Sequence, residues 1–188
     1  MILPLHAKKI AILVDDLFEE AELAEPMHAL EAAGATVHIV SPKVPTVTGM
    51  RHHDKGDTFD VDVPLDQARP EDYDGLVLPG GVVNADELRT ELAAVQFVQR
   101  IFEAGKPAAV ICHGPWTLVE ADLVRGRTLT SWPSLKTDIR NAAGNWVDAE
   151  VQVCTNGPNT LVTSRKPDDL PAFCEQMVKA FAGQSMPA

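Results

Sequence analysis

The chain has 188 residues, 45% of them hydrophobic, and no polar, Gly/Ser-rich or repetitive seam, so it reads as a single domain spanning residues 1–188 around one buried core. No apolar run approaches the roughly 18 residues of a membrane span, and a formal net charge of -11 without clustered Lys and Arg argues against binding a phosphate backbone. Membrane and nucleic acid are therefore excluded as expected partners. The cysteines Cys112, Cys154 and Cys174 form neither a CxxC pair nor a Cys/His cluster, which predicts free thiols, no disulfide framework and no metal site.

Met1 to Lys9 is too short in its apolar part, and lacks the leading basic segment, for a secretory signal, so residues 1–7 read as a flexible extension of a cytoplasmic protein. Lys9 to Val14 is a nearly continuous apolar run ending in Asp15-Asp16, as a strand buried on both faces would be. Leu23, Met27, Leu30 and Ala33 then recur at helical spacing, Pro26 is placed in the first turns, and Gly34 stops the helix. Thr36 to Val40 completes a β-α-β unit, which requires a parallel pairing. Residues 42–70 read as an irregular excursion or small hairpin with strand-like pieces near Val47 and Phe59 to Val63.

Gly75 to Leu78 predicts another buried strand, broken at Pro79-Gly80-Gly81, and a single helix is expected from Glu87 to Ala104. Ala108 to Ile111 is a central strand, and Cys112-His113-Gly114-Pro115 turns it into a helix over Trp116 to Ala121, with Pro115 suited to the first turn. A helix over Pro133 to Ala143, strands over Glu150 to Val153 and Thr160 to Ser164, and a last helix over Asp168 to Phe181 finish an alternating pattern, hence a layered α/β sandwich.

Functional groups in open α/β sheets collect at the C-terminal strand ends, and three are legible: Asp15 to Glu22, Leu78 to Gly81, and Ile111 to Gly114. Cys112 lies where a helix N-terminus would favour its thiolate, the reactive form. The N–H groups of Gly81 and His113 are candidate oxyanion donors, beside the permissive Gly80. Cys154 and Cys174 read as structural, Glu19 and Glu20 as a solvated helix start, and His52-His53 as exposed loop residues. Glu19 is close enough to Glu22 to touch the pocket. Trp132 and Trp146 are packing residues, and Trp116 is also a pocket candidate.

Taken together, Phe18-Glu19-Glu20-Ala21-Glu22-Leu23 with Pro26, Leu78-Pro79-Gly80-Gly81, Ala109 to Pro115, Arg125-Gly126-Arg127 with Thr130-Ser131, and Trp146 to Glu150 resemble the ThiJ/PfpI superfamily over nearly the whole chain. The resemblance implies a flavodoxin-like three-layer α/β/α sandwich with a mostly parallel sheet. It also implies Cys112 as reactive cysteine, Glu22 as hydrogen-bond donor to its sulfur and His113 as base. Asp86 would be a carboxylate orienting the histidine across a subunit interface, in a homo-oligomer. A carboxyl beside an anionic sulfur is pushed toward its protonated form, so Glu22 is expected neutral and Cys112 below an ordinary thiol. Gly80, Gly81, Gly114, Glu19 and Trp116 are the expected oxyanion and pocket residues.

The resulting expectation is a cysteine-dependent enzyme without cofactor, acting on a small reactive carbonyl as a glyoxalase or deglycase. An intracellular cysteine peptidase and a non-enzymatic oxidative-stress sensor or chaperone are the alternatives. A glutamine amidotransferase is excluded because no histidine follows His113, and a phosphate-binding flavodoxin because no GxGxxG or GxxxxGK[ST] follows the first strand.

Overall fold

The computed structural model describes residues 3–184. In chain order the strands are β1 (Lys9–Leu13), β2 (Phe18–Glu19), β3 (Thr36–Ser41), β4 (Thr46–Arg51), β5 (Asp54–Asp60), β6 (Val63–Pro64) and β7 (Gly75–Leu78), then β8 (Ala108–Ile111), β9 (Thr128–Leu129), β10 (Asn145–Trp146), β11 (Val151–Cys154) and β12 (Leu161–Ser164). The helices are α1 (Glu20–Ala32), α2 (Val82–Thr90), α3 (Leu92–Glu103), α4 (Pro115–Glu120), α5 (Lys136–Asn141) and α6 (Leu170–Phe181).

A 7-stranded sheet in the order β11-β12-β8-β7-β1-β3-β6 forms the middle layer. Its neighbours are parallel except for the edge pair β11 and β12. Because side chains alternate along a strand, β1 sends Ala11 and Leu13 into a cluster with Phe97, Val98, Ile101 and Ile139, while Ile10 and Ile12 meet Leu23, Leu30, Phe173 and Met177 on the other face. Helices α3 and α5 thus cover one face and α1 and α6 the other, which is the flavodoxin-like three-layer sandwich. The short apolar runs of β1, β7 and β8 are strands because both their faces are buried.

Three local expectations need correction, and a fourth, left between an irregular excursion and a small hairpin, is decided for the hairpin. The helix predicted over Glu87 to Ala104 is two helices, starting earlier at Val82 and interrupted at Glu91, whose extended backbone ends α2 and whose carboxylate accepts the Ala93 N–H at 3.2 Å to cap α3. Pro26 lies in the interior of α1, where its missing N–H withdraws the helical bond to the Glu22 carbonyl. The 42–70 excursion contains an ordered hairpin, β4–β5, docked on β2. Residues 3–7 are not a loose extension: Leu5 is fully buried, and its N–H bonds to the Ala33 carbonyl at 2.9 Å. Met1 and Ile2 lie outside the described residues.

The Arg125-Gly126-Arg127 motif has a structural role at its last residue. Arg127 is buried and has no carboxylate partner among the described residues; its guanidinium donates to Asn159 Oδ1 at 2.6 Å, the Asn159 carbonyl at 2.6 Å and the Cys154 carbonyl at 3.1 Å, tying β9 to the β11–β12 turn. Arg127→Ala strands these acceptors and is expected to cost about 3 kcal/mol. Arg125→Ala, which loses only a surface pair with Asp122, should cost under about 1 kcal/mol. Urea unfolding of the two variants checks this contrast.

Candidate active site

Three strand ends meet over the sheet. Cys112 follows β8 directly, with φ of 61°, a left-handed conformation that a non-glycine residue holds only when its surroundings demand it. They do: the Cys112 N–H donates to the Ser164 carbonyl at 3.0 Å, and the Cys112 carbonyl accepts the Trp132 N–H at 2.8 Å. Gly114 is required one step further on, because a Cβ there would stand 2.7 Å from the Leu78 carbonyl oxygen. It is a packing residue of the elbow rather than part of the pocket wall.

Glu22, in the first turns of α1, is wholly buried and aimed at the elbow. Its Oε2 accepts the Gly80 N–H at 2.7 Å, while Oε1 is buried with no hydrogen-bond partner among the described residues. Burial pushes the carboxyl up to about 8, which favours its protonated form at neutral pH. Gly80 backs Glu22 and Cys112, and Gly81 turns the chain with φ of 87°. Asn84 locks the loop: it donates to the Pro79 and Gly80 carbonyls at 3.2 and 2.9 Å and accepts the Asp15 N–H at 2.7 Å. Sequence reasoning gave Asn84 no role, since an amide on a helix carries no signal until its two neighbouring strand ends are known.

His113 Nδ1 lies 3.2 Å from Cys112 Sγ. The imidazole sits between Trp116, edge-on at 5.4 Å, and Trp132, stacked at 5.8 Å. Burial holds it down at about 4, so it is a neutral acceptor at physiological pH. Burial raises the Cys112 thiol as well, and an ionised Glu22 would add to this, against the Gly81 and His113 N–H groups that favour the anion. Burial and any charge on Glu22 thus oppose the thiolate expected from the sequence, and the two N–H groups support it. The helix behind Cys112 has only 6 residues, and the elbow is nearly dry. Sulfur ionisation must be coupled to proton acceptance by its neighbours.

A cavity of about 690 Å³ opens above the pair, lined by Glu19, Glu22, Gly81, Cys112, His113 and Trp132. Its rim carries Val82 and Val83 from α2, Lys166 and Asp168, and, from the hairpin tip, His52 and His53. Those histidines are exposed as expected, yet they overhang the site, because the hairpin is fastened by the His52 N–H to Glu19 Oε2 at 3.2 Å and by Arg51 to Glu20 at 3.0 Å. Trp116 is not in the cavity wall; its indole N–H reaches Asp138 on α5 at 2.8 Å, drawing the ring behind His113. Asp86 is exposed and pairs with Arg89 at 3.0 Å, while Arg89 lies over the Trp116 ring at 4.8 Å. Within one chain Asp86 therefore reaches His113 only through Arg89 and Trp116.

Among the described residues no group of three or more His, Cys, Asp or Glu is disposed to hold a metal ion, and no helix is long and apolar enough to cross a membrane. Cys154 is buried and Cys174 half-buried, both unpaired.

The Glu22 and His113 shifts predict a stability profile with opposite limbs. Glu22, raised from 4.5 to about 8, contributes stability that is complete below pH 4.5 and lost as pH rises through about 8. His113, lowered from 6.5 to about 4, contributes stability that is complete above pH 6.5 and lost as pH falls through about 4. Glu22→Gln should flatten the alkaline limb and leave the acid limb, as read from urea midpoints across pH.

A buried cysteine on a strained strand-to-helix turn, with a protonated glutamate and a neutral histidine beside its sulfur, defines an α/β protein of the cysteine-elbow class. The model of the DJ-1/PfpI family matches residues 8–180, and the chain belongs to that family. It is 42% identical over 171 residues to a deglycase of Pyrococcus abyssi (strain GE5 / Orsay), covering 91% of this chain and 98% of that protein. It is 38% identical over 175 residues to Protein/nucleic acid deglycase 2 of Escherichia coli (strain K12), covering 92% and 97%. Among solved structures, a two-domain protein of Anabaena variabilis with DJ-1/ThiJ/PfpI-like and ferritin-like domains superposes with a TM-score of 0.84 at 31% identity. That match covers 96% of this chain and about half, 50%, of the two-domain protein.

The exclusion of nucleic acid expected from the charge is not borne out by the name of the Escherichia coli relative. Net charge bears on binding an unmodified phosphate backbone, and says little about admitting a modified base to a pocket.

Proposed function

We propose that this chain is a cofactor-independent cysteine enzyme that acts on reactive carbonyls, of glyoxalase or deglycase type, with Cys112 as nucleophile, His113 as base and Glu22 as acid. The observation that carries the reading is the 3.2 Å approach of His113 Nδ1 to Cys112 Sγ, with the wholly buried Glu22 carboxyl beside the same residue. Neutral His113 takes the thiol proton as Sγ attacks an aldehyde carbon, and the Gly81 and His113 N–H groups receive the developing oxyanion. Protonation gives a hemithioacetal. With methylglyoxal, transfer of its C1 proton to C2 through an enediol yields a lactoyl thioester. Water then cleaves the thioester to lactate and the free thiol, so the sum is methylglyoxal plus water to lactate. An early adduct on an amine or thiol would enter through the same sulfur attack.

The deglycase names of relatives support this choice of chemistry. The cavity, about 690 Å³ with Val82, Val83 and Trp132 exposed at its mouth, has room for an adduct still attached to a larger molecule, whether protein or nucleic acid. The same width favours peptide hydrolysis as the second reading. The catalytic unit is one domain in a cytoplasmic homo-oligomer, in which Asp86 of one copy serves the histidine of another.

Purified protein incubated with methylglyoxal should form lactate. A quenched fluorescent peptide cleaved without lactate formation would replace this reading by the peptidase. If neither reaction occurs while Cys112 takes up two oxygens from dilute peroxide ahead of Cys154 and Cys174, the protein is a sensor.

A further inference from the structure

We propose that Trp132 is a positioning residue for the Cys112 and His113 pair: its indole ring, stacked on the imidazole, holds Nδ1 toward the sulfur and keeps water off the ring. The centroids are 5.8 Å apart and the planes 24° from parallel. Trp132 is 39% exposed, an unusual setting for so large an apolar side chain, so filling the core is not its main contribution. It is delivered to the site by the segment that also closes the elbow, through its own N–H on the Cys112 carbonyl at 2.8 Å. Ser131 stiffens that segment, accepting the Trp146 indole N–H at 2.9 Å and donating to the Trp132 carbonyl at 2.9 Å. The main-chain bonds survive substitution at Trp132, so a variant isolates the ring.

The two tryptophans on the imidazole differ in what they can do. Trp116 meets it edge-on from behind, already fixed by Asp138 and Arg89. Trp132 lies on the cavity side, the direction from which water and substrate arrive. The charged and titratable groups around the imidazole are Cys112 on its own turn, Glu22 and Glu19 at the start of α1, Arg89 with Asp86 on α2 and Asp138 on α5. Lys166 with Asp168 and the hairpin's His52 and His53 face it across the cavity. Among the described residues only Cys112 hydrogen-bonds the ring, and burial is the cause of its low proton affinity. Removing the cover is therefore the change that restores that affinity.

The inference rests on the proposed chemistry for its meaning in turnover, but it can be tested without substrate. Iodoacetamide alkylation of Cys112, resolved by mass spectrometry, and ¹³C titration of the His113 ring would be compared in full-length wild type, Trp132→Phe and Trp132→Ala. His113→Gln serves to assign the resonance. In Trp132→Ala the titration midpoint is expected to move from about 4 toward the ordinary 6.5, while alkylation at neutral pH falls roughly tenfold. Trp132→Phe, which still stacks, should stay within about twofold of wild type. Greater basicity alone would speed alkylation, so a fall reports lost orientation. Should Trp132→Ala not fold by circular dichroism, Trp132→Leu is read in its place. An unmoved midpoint, or an alkylation rate unchanged or raised, would overturn the proposal. If wild type makes no lactate while both readouts shift as described, the carbonyl reading fails and the positioning role stands.

Discussion

Cys112→Ala is expected to abolish lactate formation from methylglyoxal, a loss of at least about 10³-fold in kcat/KM. No other thiol can substitute. Cys154 lies at the end of β11, and Cys174 is on α6, on the far side of the Lys166–Asp169 segment from the cavity wall. Cys154→Ala and Cys174→Ala should therefore keep near wild-type rates. Cys112→Ser tests the chemistry more finely, because the hydroxyl fits the same place with a much higher pKa, and His113, held at about 4, is too weak a base to activate it. Its activity should match that of the alanine variant. Full activity in Cys112→Ala would remove the nucleophile from the mechanism.

Gly80→Ala should also silence the site, while leaving the fold in place. An added Cβ would stand 2.5 Å from Glu22 Oε2, 2.6 Å from Cys112 Cβ and 2.9 Å from Sγ, all closer than real contacts allow. Glu22 and Cys112 are buried on every other side, so one must leave its place and the carboxyl and sulfur are driven apart. Alkylation of Cys112 and kcat/KM should both fall by about 100-fold or more, with an unchanged far-ultraviolet circular dichroism spectrum. Gly126→Ala is the matched control. Its φ of 70° makes alanine strained, but nothing lies within 4 Å of the added carbon, so it should lose about 1 kcal/mol of stability and no activity. Equal activity in the two variants would show that the close approach at Gly80 is not needed for chemistry.

The two positions were not equally visible in the chain. Cys112 stands out because the apolar run before it and Pro115 after it mark a strand-to-helix turn, a local pattern. Gly80 could be read only as permissive; what it permits, contact with one side chain from α1 and one just past β8, is a property of how the strands lie side by side. Trp116 and Trp132 show the same limit. The nearer in sequence to Cys112 was assigned to the pocket, yet the wall is made by the more distant one, because the Cys112 carbonyl draws the Trp132 segment over the elbow.

The layers and the cysteine elbow were legible from the chain alone: continuous apolar runs become strands buried on both faces, helical spacing covers them, and the breaks between them place chemistry at strand ends. Those are short-range consequences of periodicity and of glycine and proline geometry. The tertiary structure alone decided the state of the site. Whether Cys112 rests as thiol or thiolate, whether Glu22 keeps its proton and whether His113 stays neutral all depend on water being excluded by residues far apart in the chain. Desolvation is a property of the assembled volume, and no stretch of sequence carries it.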